Sequence, residues 1–350
     1  SRVYALTPAS TAFLDGIGAW RRLDAGRVTS IHDMRVFGDD RSSRLDFSAY
    51  ESGVLQLGAT VESGRLHHAL WQGLERQRNL SLLCPAVPSG LCSREERVEI
   101  ALEDGNVVTA KLAVGADGAE SWARGAAGIE ARNESYAQLG IVANFACARA
   151  HRNIAYQWFR GDGVLAYLPL PDRRVSIVWS TPHAQGRELL ALAPAALCAR
   201  VSEAGDEALG ALEPLTPPAA FPLSRMFADR MAQGRIALIG DAAHVVHPLA
   251  GQGVNLGLGD AHSLADLLRG APDPGDRLLL RRYERARAED ILALRWVTDG
   301  LFRLFDSNNR VAARIRNFGL KLTNSNPVIK TLLARRAMGM GGGLRHKEPS

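Results

Sequence analysis

The sequence has few cysteines and no long apolar run. Its four cysteines form no CxxC pair and no metal-site spacing, so we expect reduced thiols and no metal centre. No stretch reaches the roughly 18 apolar residues that cross a bilayer, and the N-terminus lacks the pattern of a signal peptide. These absences predict a cytoplasmic protein, and 46% hydrophobic residues are enough for a sizeable core.

Charge is unevenly distributed along the chain. The formal net charge is +5, but residues 276–347 carry 16 Lys and Arg against 6 Asp and Glu, so the rest of the chain is slightly acidic. A basic C-terminal region indicates either contact with an anionic surface, such as the inner face of a membrane, or a solvated helical face. We expect no nucleic-acid partner.

Local patterns predict α/β segments interleaved with antiparallel strands. Thr7 followed by Pro8 is typical of a helix N-cap and first helical position, in a helix predicted over residues 2–20. Asp104-Gly105-Asn106 predicts a hairpin turn. Further strands are predicted within 31–37, 54–57, 80–114, 136–180 and 235–240, and helices over 61–76, 184–204, 255–268 and most of the chain after residue 275.

The strongest signal is the segment 235–268, RIALIGDAAHVVHPLAGQGVNLGLGDAHSLADLL, which we call the Gly-Asp segment. Its apolar run, 236–239, predicts a strand buried on both faces. Gly240 then ends the strand and places Asp241 at its carboxyl end, where ligands bind in open α/β sheets. A carboxylate there can accept hydrogen bonds from ribose or ribityl hydroxyls.

A glycine-rich loop follows this strand. It contains Pro248, Gly251 and Gly253, and glycine lets a backbone approach a flat ring or a phosphate closely. The helix predicted from Asn255 directs its first N–H groups at the loop, which creates a site for negative charge.

A second motif, residues 114–124, lies upstream and is called here the Asp-Gly segment. Asp117 and Gly118 form a turn after an apolar strand, and Ser121 opens a helical turn. Arg124 supplies a fixed cation that suits phosphate. An Asp-Gly pair alone is equally consistent with an ordinary structural turn.

Together the two segments resemble the motifs of the class A flavoprotein hydroxylases. The string HPLAGQGVNLGL, residues 247–258, resembles the ubiquinone-biosynthesis hydroxylases in particular. Residues 2–6 are similar to the Arg-containing segment after the second strand of that family's flavin domain. The resemblance implies an α/β fold of the para-hydroxybenzoate hydroxylase type. It has a Rossmann-like FAD-binding domain, an interleaved antiparallel β-sheet substrate domain and C-terminal helices.

The resemblance also implies domain boundaries. They are 1–27, 59–128 and 229–270 for the discontinuous FAD-binding domain, 28–58 and 129–228 for the substrate domain, 271–338 for a C-terminal helical region and 339–350 for a disordered tail.

By the same resemblance, FAD is the cofactor and NAD(P)H and O2 are co-substrates of an aromatic hydroxylase. The flavin carries the chemistry, so no catalytic triad is needed. His247 and Pro248 are expected at the reactive edge of the flavin, while Tyr167 and Pro169 could cover the substrate ring or simply pack in the core. The expected FAD contacts are Arg2, Asp117, Gly118, Ser121, Arg124, Gly240, Asp241, Pro248, Gly251, Gln252, Gly253, Val254 and Asn255.

One part of the family pattern is absent. The GxGxxG fingerprint does not occur, and Gly16 and Gly18 lack its spacing. We therefore expect the first βαβ unit to be missing through an N-terminal truncation. We also expect this chain by itself to bind FAD poorly.

Three functions remain open at this point. The first is hydroxylation of a polyprenyl-phenol in ubiquinone biosynthesis, with peripheral membrane contact through the basic C-terminal helices. The second is hydroxylation of a small soluble aromatic or secondary metabolite. The third is a non-catalytic assembly subunit of a quinone-biosynthesis complex. The long HPLAGQG string favours the first.

Overall fold

The structure is a computed structural model that describes residues 2–38, 43–161, 163–247 and 252–305. Pro248, Gly251, the predicted tail and the helical region beyond residue 305 lie outside these described residues.

Strands and helices alternate in the first half of the chain and around the Gly-Asp segment. The strands are β1 Val3–Leu6, β2 Thr29–Ile31, β3 Asp33–Phe37, β4 Arg44–Ser48, β5 Gly58–Glu62, β6 Pro88–Ser93, β7 Val98–Leu102, β8 Val107–Ala110, β9 Ala113–Gly115, β10 Ala131–Cys147, β11 Ile154–Arg160, β12 Gly163–Leu170, β13 Arg174–Pro182, β14 Leu212–Pro214, β15 Ala219–Ala228, β16 Ala232–Gln233, β17 Ile236–Leu238 and β18 His244–Val245. The α-helices are α1 Pro8–Gly16, α2 Ala49–Ser52, α3 Ser63–Glu75, α4 Trp122–Ala126, α5 His183–Ala191, α6 Pro194–Ala204, α7 Gly253–Leu268 and α8 Arg277–Phe305.

The largest sheet among the described residues has nine strands. Its order is β18-β15-β10-β13-β12-β11-β3-β4, with β14 beside β10, and every pair is antiparallel except β3 with β11. Ile141 and Phe145 of β10 lie on the face covered by α5 and α6, where they share a core with Leu189 and Val201. The Gly-Asp segment joins the edge of this sheet because β18 pairs with β15.

A short parallel pair carries the two motifs. β17 runs parallel to β9, so the Asp-Gly and Gly-Asp segments leave neighbouring strands at the same edge. Ile236, Ala237 and Leu238 are fully buried beneath α7 and α8, which confirms the predicted buried strand. The Tyr283 hydroxyl of α8 donates to the Leu238 carbonyl at 2.9 Å. The remaining two sheets of the described chain are β1-β5-β2 and β6-β7-β8.

The local predictions are only partly confirmed. Thr7 caps α1 by accepting a hydrogen bond from the Ser10 N–H at 3.2 Å, and the 104–106 hairpin turn is present between β7 and β8. Residues 3–6 are a strand and not helix, because they pair with β5. Residues 54–57 precede β5 and are not themselves a strand.

The predicted helix over 184–204 is two helices in the structure. α5 ends at Ala191 and α6 begins at Pro194. A proline has no N–H and restricts the preceding residue, so Pro194 starts a new helix and does not continue the old one. The domain boundaries given above stay a prediction.

The Asp260 carboxylate connects the end of β17 to both long helices. Asp260 lies on α7 and is completely buried. One oxygen accepts from the Gly240 N–H at 2.9 Å and from His244 Nε2 at 2.6 Å, and the other accepts from Arg287 Nε at 2.7 Å. Arg287 of α8 also reaches Asp290 at 2.6 Å. Burial alone would lower the pKa of Arg287, but its carboxylate partners raise it, so the guanidinium stays charged.

Replacing Asp260 with Ala leaves a buried guanidinium without its main partner, so we expect the free energy of unfolding to fall by about 3–5 kcal/mol. Urea denaturation followed by circular dichroism measures this change. The control is Asp266→Ala on the same helix, whose half-exposed carboxylate should contribute less than about 1 kcal/mol. Equal losses in the two variants would contradict the assignment.

Candidate functional site

The site lies at the carboxyl end of the β9–β17 pair. Gly240 follows β17 with φ +60°, a conformation that favours glycine, and the chain turns there into a short 3-10 helix. A Cβ added at Gly257 would lie 3.1 Å from the Cα of Gly240. The first turns of α7 therefore pack directly on the end of the strand.

Asp241 and Arg2 are brought together at this edge. The Asp241 side chain is exposed, yet protein surrounds it closely enough that partial burial raises its pKa, an effect that His244 and Arg2 oppose. The Arg2 guanidinium lies 4.6 Å from the centre of the Phe221 ring on β15. Arg2 therefore connects the exposed carboxylate at the end of the parallel pair with the nine-stranded sheet.

The start of α7 is held against β1 by Asn255. Its Nδ2 donates to the Ala5 carbonyl and its Oδ1 accepts from the Thr7 N–H, both at 2.9 Å. Gln252 caps the helix, Gly253 begins it and the Val254 side chain packs in the core around β1 and α1. These contacts fix the position of the helix terminus, where the first N–H groups favour negative charge.

The Asp-Gly segment forms a turn that its own side chains stabilise. Asp117 accepts from the Ser121 hydroxyl at 2.5 Å and from the Ala123 N–H at 2.9 Å, and Ser121 in turn accepts from the Arg124 N–H at 2.9 Å. Burial acts to raise the pKa of Asp117, but these hydrogen bonds hold it below its usual value. Gly118 has φ +86°, with open space where a Cβ would lie.

Arg124 links the two motifs. Its guanidinium donates to the Ala242 carbonyl and to the Ala119 carbonyl, both at 2.9 Å. Gly115 lets Ala123 of α4 and Leu238 of β17 pack against β9, because a Cβ added at 115 would lie 2.8 Å from the side chains of both residues. The structure therefore places Arg124 between the motifs, and a phosphate contact for it stays a prediction.

His244 and His247 have separate roles, although they are three residues apart. His244 is bonded to Asp260, as described above. His247 is buried, with Nε2 3.2 Å from Gln138 Oε1 and its ring edge-on to Tyr136, with ring centres 4.6 Å apart. Burial lowers the pKa of His247 to about 4, so its imidazole is neutral at pH 7.

Tyr167 and Pro169 lie on β12 of the large sheet. Tyr167 is buried on the face of the large sheet that α6 covers, and its hydroxyl donates to the Val201 carbonyl at 2.6 Å. The Pro169 carbonyl accepts from the Thr60 hydroxyl on β5. Alternation along β12 turns Tyr167 toward the helices, which favours core packing for that side chain. A substrate contact for Tyr167 or Pro169 stays a prediction.

Several residues of the site could not be identified from a sequence motif. Asp260 shares a helical face with buried Leu256 and Leu264, so a carboxylate in an otherwise apolar stripe was the available signal. Arg287 and Gln138 have no local signal, because their importance depends on contacts across the fold.

Comparison with known proteins identifies an FAD-binding domain in this chain. The family profile described as FAD binding domain matches residues 94–294, which include both motifs. The chain is 34% identical to 3-demethoxyubiquinol 3-hydroxylase of Escherichia coli over 97% of this chain and 87% of that protein. It is 37% identical to ubiquinone hydroxylase UbiL of Rhodospirillum rubrum over 97% of this chain and 79% of that protein.

Solved structures share the fold. PqsL of Pseudomonas aeruginosa, a probable FAD-dependent monooxygenase, superposes with a TM-score of 0.78 at 24% identity, over 92% of this chain and 90% of that one. HpxO of Klebsiella pneumoniae, complexed with FAD and uric acid, gives a TM-score of 0.76 at 18% identity, over 98% and 89%. The predicted α/β fold of the para-hydroxybenzoate hydroxylase type is confirmed.

The residues at the edge fit FAD. Asp241 presents an exposed carboxylate, and the N-terminus of α7 packs on the adjoining strand end. A carboxylate suits ribityl hydroxyls, and a helix N-terminus suits the anionic parts of a flavin nucleotide. With the two motifs, the profile match and relatives above 30% identity all in agreement, the chain belongs to the ubiquinone-biosynthesis hydroxylase family of FAD-dependent monooxygenases.

Proposed function

We propose that the protein hydroxylates the aromatic ring of a polyprenyl-phenol intermediate of ubiquinone biosynthesis. NAD(P)H supplies two electrons as a hydride and is oxidised to NAD(P)+. One atom of O2 enters a ring C–H bond as a hydroxyl group, and the other takes up a proton from solvent and leaves as water. The observation that carries the proposal is the meeting of Asp241, Arg2 and the start of α7 at one sheet edge, next to β15. The names of the two curated relatives support the substrate class.

When bound, FAD supplies the redox chemistry and the transfer of oxygen, and the protein supplies binding, orientation and exclusion of water. Asp241 would accept hydrogen bonds from the ribityl chain, and the N–H groups at the start of α7 would stabilise negative charge on the flavin. Gly118, Ser121 and Arg124 are proposed to border the nucleotide from the neighbouring strand. Pro248 and Gly251 keep their proposed contacts, although they lie outside the described residues.

The large sheet offers an apolar surface for an aromatic ring. Phe221 of β15 lies across Gly140 of β10, where an added Cβ would come within 2.9 Å of the Phe221 ring. Gly140 therefore leaves room for the Phe221 ring on a strand that also pairs with β18, the strand that precedes His247. We propose that the substrate ring lies against this surface.

Contact with a membrane is proposed through α8. Among the residues that the structure describes, no helix is long and apolar enough to cross a membrane. The outward face of α8 carries exposed Leu278, Arg281, Arg282 and Arg285, which is typical of a surface that lies on anionic lipid. A substrate with an isoprenoid tail would be delivered from that surface, as part of a quinone-biosynthesis complex or alone.

We expect Asp241→Ala to contain less FAD than the unsubstituted chain at the same FAD concentration, and to restore less quinone synthesis in a strain that lacks the enzyme, because an exposed carboxylate is removed without disturbing the core. Flavin absorbance per protein and quinone content measure the two effects. Asp229→Ala, a change at another exposed aspartate, is the matched control. Restoration of quinone synthesis by Asp241→Ala would favour the assembly-subunit alternative and contradict catalysis by this site.

The wild-type protein should oxidise NAD(P)H faster, and form hydroxylated product, when a polyprenyl-phenol in detergent micelles is added. Small soluble phenols without a prenyl tail should stimulate it much less, because they lack the apolar surface of the tail. Liquid chromatography with mass spectrometry identifies the product. Equal or greater turnover of soluble phenols would favour the second alternative, a hydroxylase of small aromatics.

Sedimentation with vesicles tests the membrane surface. Reversing Arg281, Arg282 and Arg285 to Glu should weaken binding to vesicles that contain anionic lipid by on the order of a hundredfold, since each cation near such a surface contributes about 1 kcal/mol. The same reversal at exposed Arg76 and Arg78, after α3, should change binding little. Failure of the wild type to bind at low salt would contradict the membrane surface.

A further inference from the structure

The register of β10 against β15 shifts beside the site. Ser135 pairs with Ser224 and Gln138 pairs with Leu223, so two residues of β10 have no partner across the ladder. Ala137 within this bulge has φ +52°, which is strained for a residue with a side chain. Bulges commonly lie next to active sites, where they redirect side chains.

The two side chains that flank Ala137 both contact His247. Tyr136 meets the imidazole edge-on, and Gln138 Oε1 lies 3.2 Å from Nε2. An amide oxygen only accepts hydrogen bonds, so this geometry assigns the proton of the neutral imidazole to Nε2. These contacts hold the His247 ring, which follows β18, against the bulge of β10.

We propose that Gln138 is a positioning residue for the hydroxylation: it holds the neutral His247 ring in one orientation beside the sheet on which the substrate is proposed to lie. This inference rests on the proposed function. A glutamine suits the task because it stays uncharged at every pH and so leaves the imidazole neutral. A carboxylate in the same place would attract a proton to the ring.

Among the residues that the structure describes, few charged side chains lie on the strands packed against His247. Burial is the cause of its lowered pKa. On the strands packed against it, Glu134 of β10 and Arg225 of β15 form an ion pair at 2.6 Å, and Arg225 also lies over the Tyr136 ring at 5.9 Å. Arg295 of α8 lies over the Phe227 ring on the same side of β15, and its charge helps to lower the pKa of Glu134.

The experiment compares Gln138→Glu and Gln138→Leu with the wild type. Product formed per NAD(P)H consumed is measured between about pH 5 and 8, the range in which an exposed histidine titrates. Asn133→Asp, which adds the same charge at an exposed position of β10, is the matched control and should follow the wild type.

For Gln138→Leu we expect product per NAD(P)H to fall on the order of tenfold at every pH, with FAD content unchanged, because the His247 ring loses its fixed position. For Gln138→Glu we expect yield close to that of the wild type at the alkaline end. The yield should then decline as the pH falls and His247 takes up a proton. A combined Gln138→Glu, His247→Gln variant should lose this pH step, since the titrating ring is gone.

A second readout does not depend on turnover. The imidazole resonances of His247, assigned by their absence in His247→Gln, should not move over this pH range in the wild type and should titrate in Gln138→Glu. A titrating His247 in the wild type, or unchanged product yield in Gln138→Leu, would overturn the role of Gln138. Absence of any hydroxylated product from the wild type would instead refute the proposed function, while the resonance titration would still test the Gln138 contact.

Discussion

Asp260 lies where β17, α7 and α8 meet, and each of its oxygens holds a different element. A carboxylate without access to water is costly, and here the cost is offset by a guanidinium, an imidazole N–H and a backbone N–H at 2.6–2.9 Å. Such a network does little for net stability compared with apolar packing. It does require one arrangement, because any displacement of α7 or α8 would leave a buried charge without its partner.

The candidate flavin edge is therefore built from parts that are far apart in the sequence. The Asp260 carboxylate fixes Gly240, the Asn255 amide fixes the start of α7, and the Arg124 guanidinium fixes the Asp-Gly turn to Ala242. In each case a side chain bonds to the backbone of another segment. The polar groups that shape this edge are therefore largely occupied by hydrogen bonds within the protein. The exposed Asp241 carboxylate remains for a ligand.

The sequence predicts the parts of this site whose signal is local. A continuous apolar run followed by Gly240 and Asp241 predicts a buried strand with an acidic end, and Thr7-Pro8 marks a helix start. Residues 3–6 were misassigned because their strand character depends on pairing with β5. For Tyr167 the sequence left core packing and substrate contact both open, because a largely buried strand gives no periodic signal for which face a residue occupies.

Contacts between distant segments could not be predicted. Gln138 has meaning only once β10 is bulged and His247 has been brought beside it, 109 residues along the chain. Arg287 likewise lies on an arginine-rich helix in which most cations are exposed, and no pattern distinguishes the buried one. Family resemblance supplied the fold and the cofactor, and the structure was needed for the residues that hold the motifs in place.

The contact between Gly240 and Gly257 has a consequence for how this protein can change in evolution. A methyl group added at 257 would lie 3.1 Å from the Cα of Gly240, so the facing backbone would have to move by a few tenths of an ångström. A side chain at position 257 would push α7 away from the end of the strand. Asp260 and Asn255, which lie on the same helix, would be displaced with it. Substitutions on the β-sheet surface can therefore change substrate preference, whereas the close spacing of α7 and β17 depends on glycine at position 257.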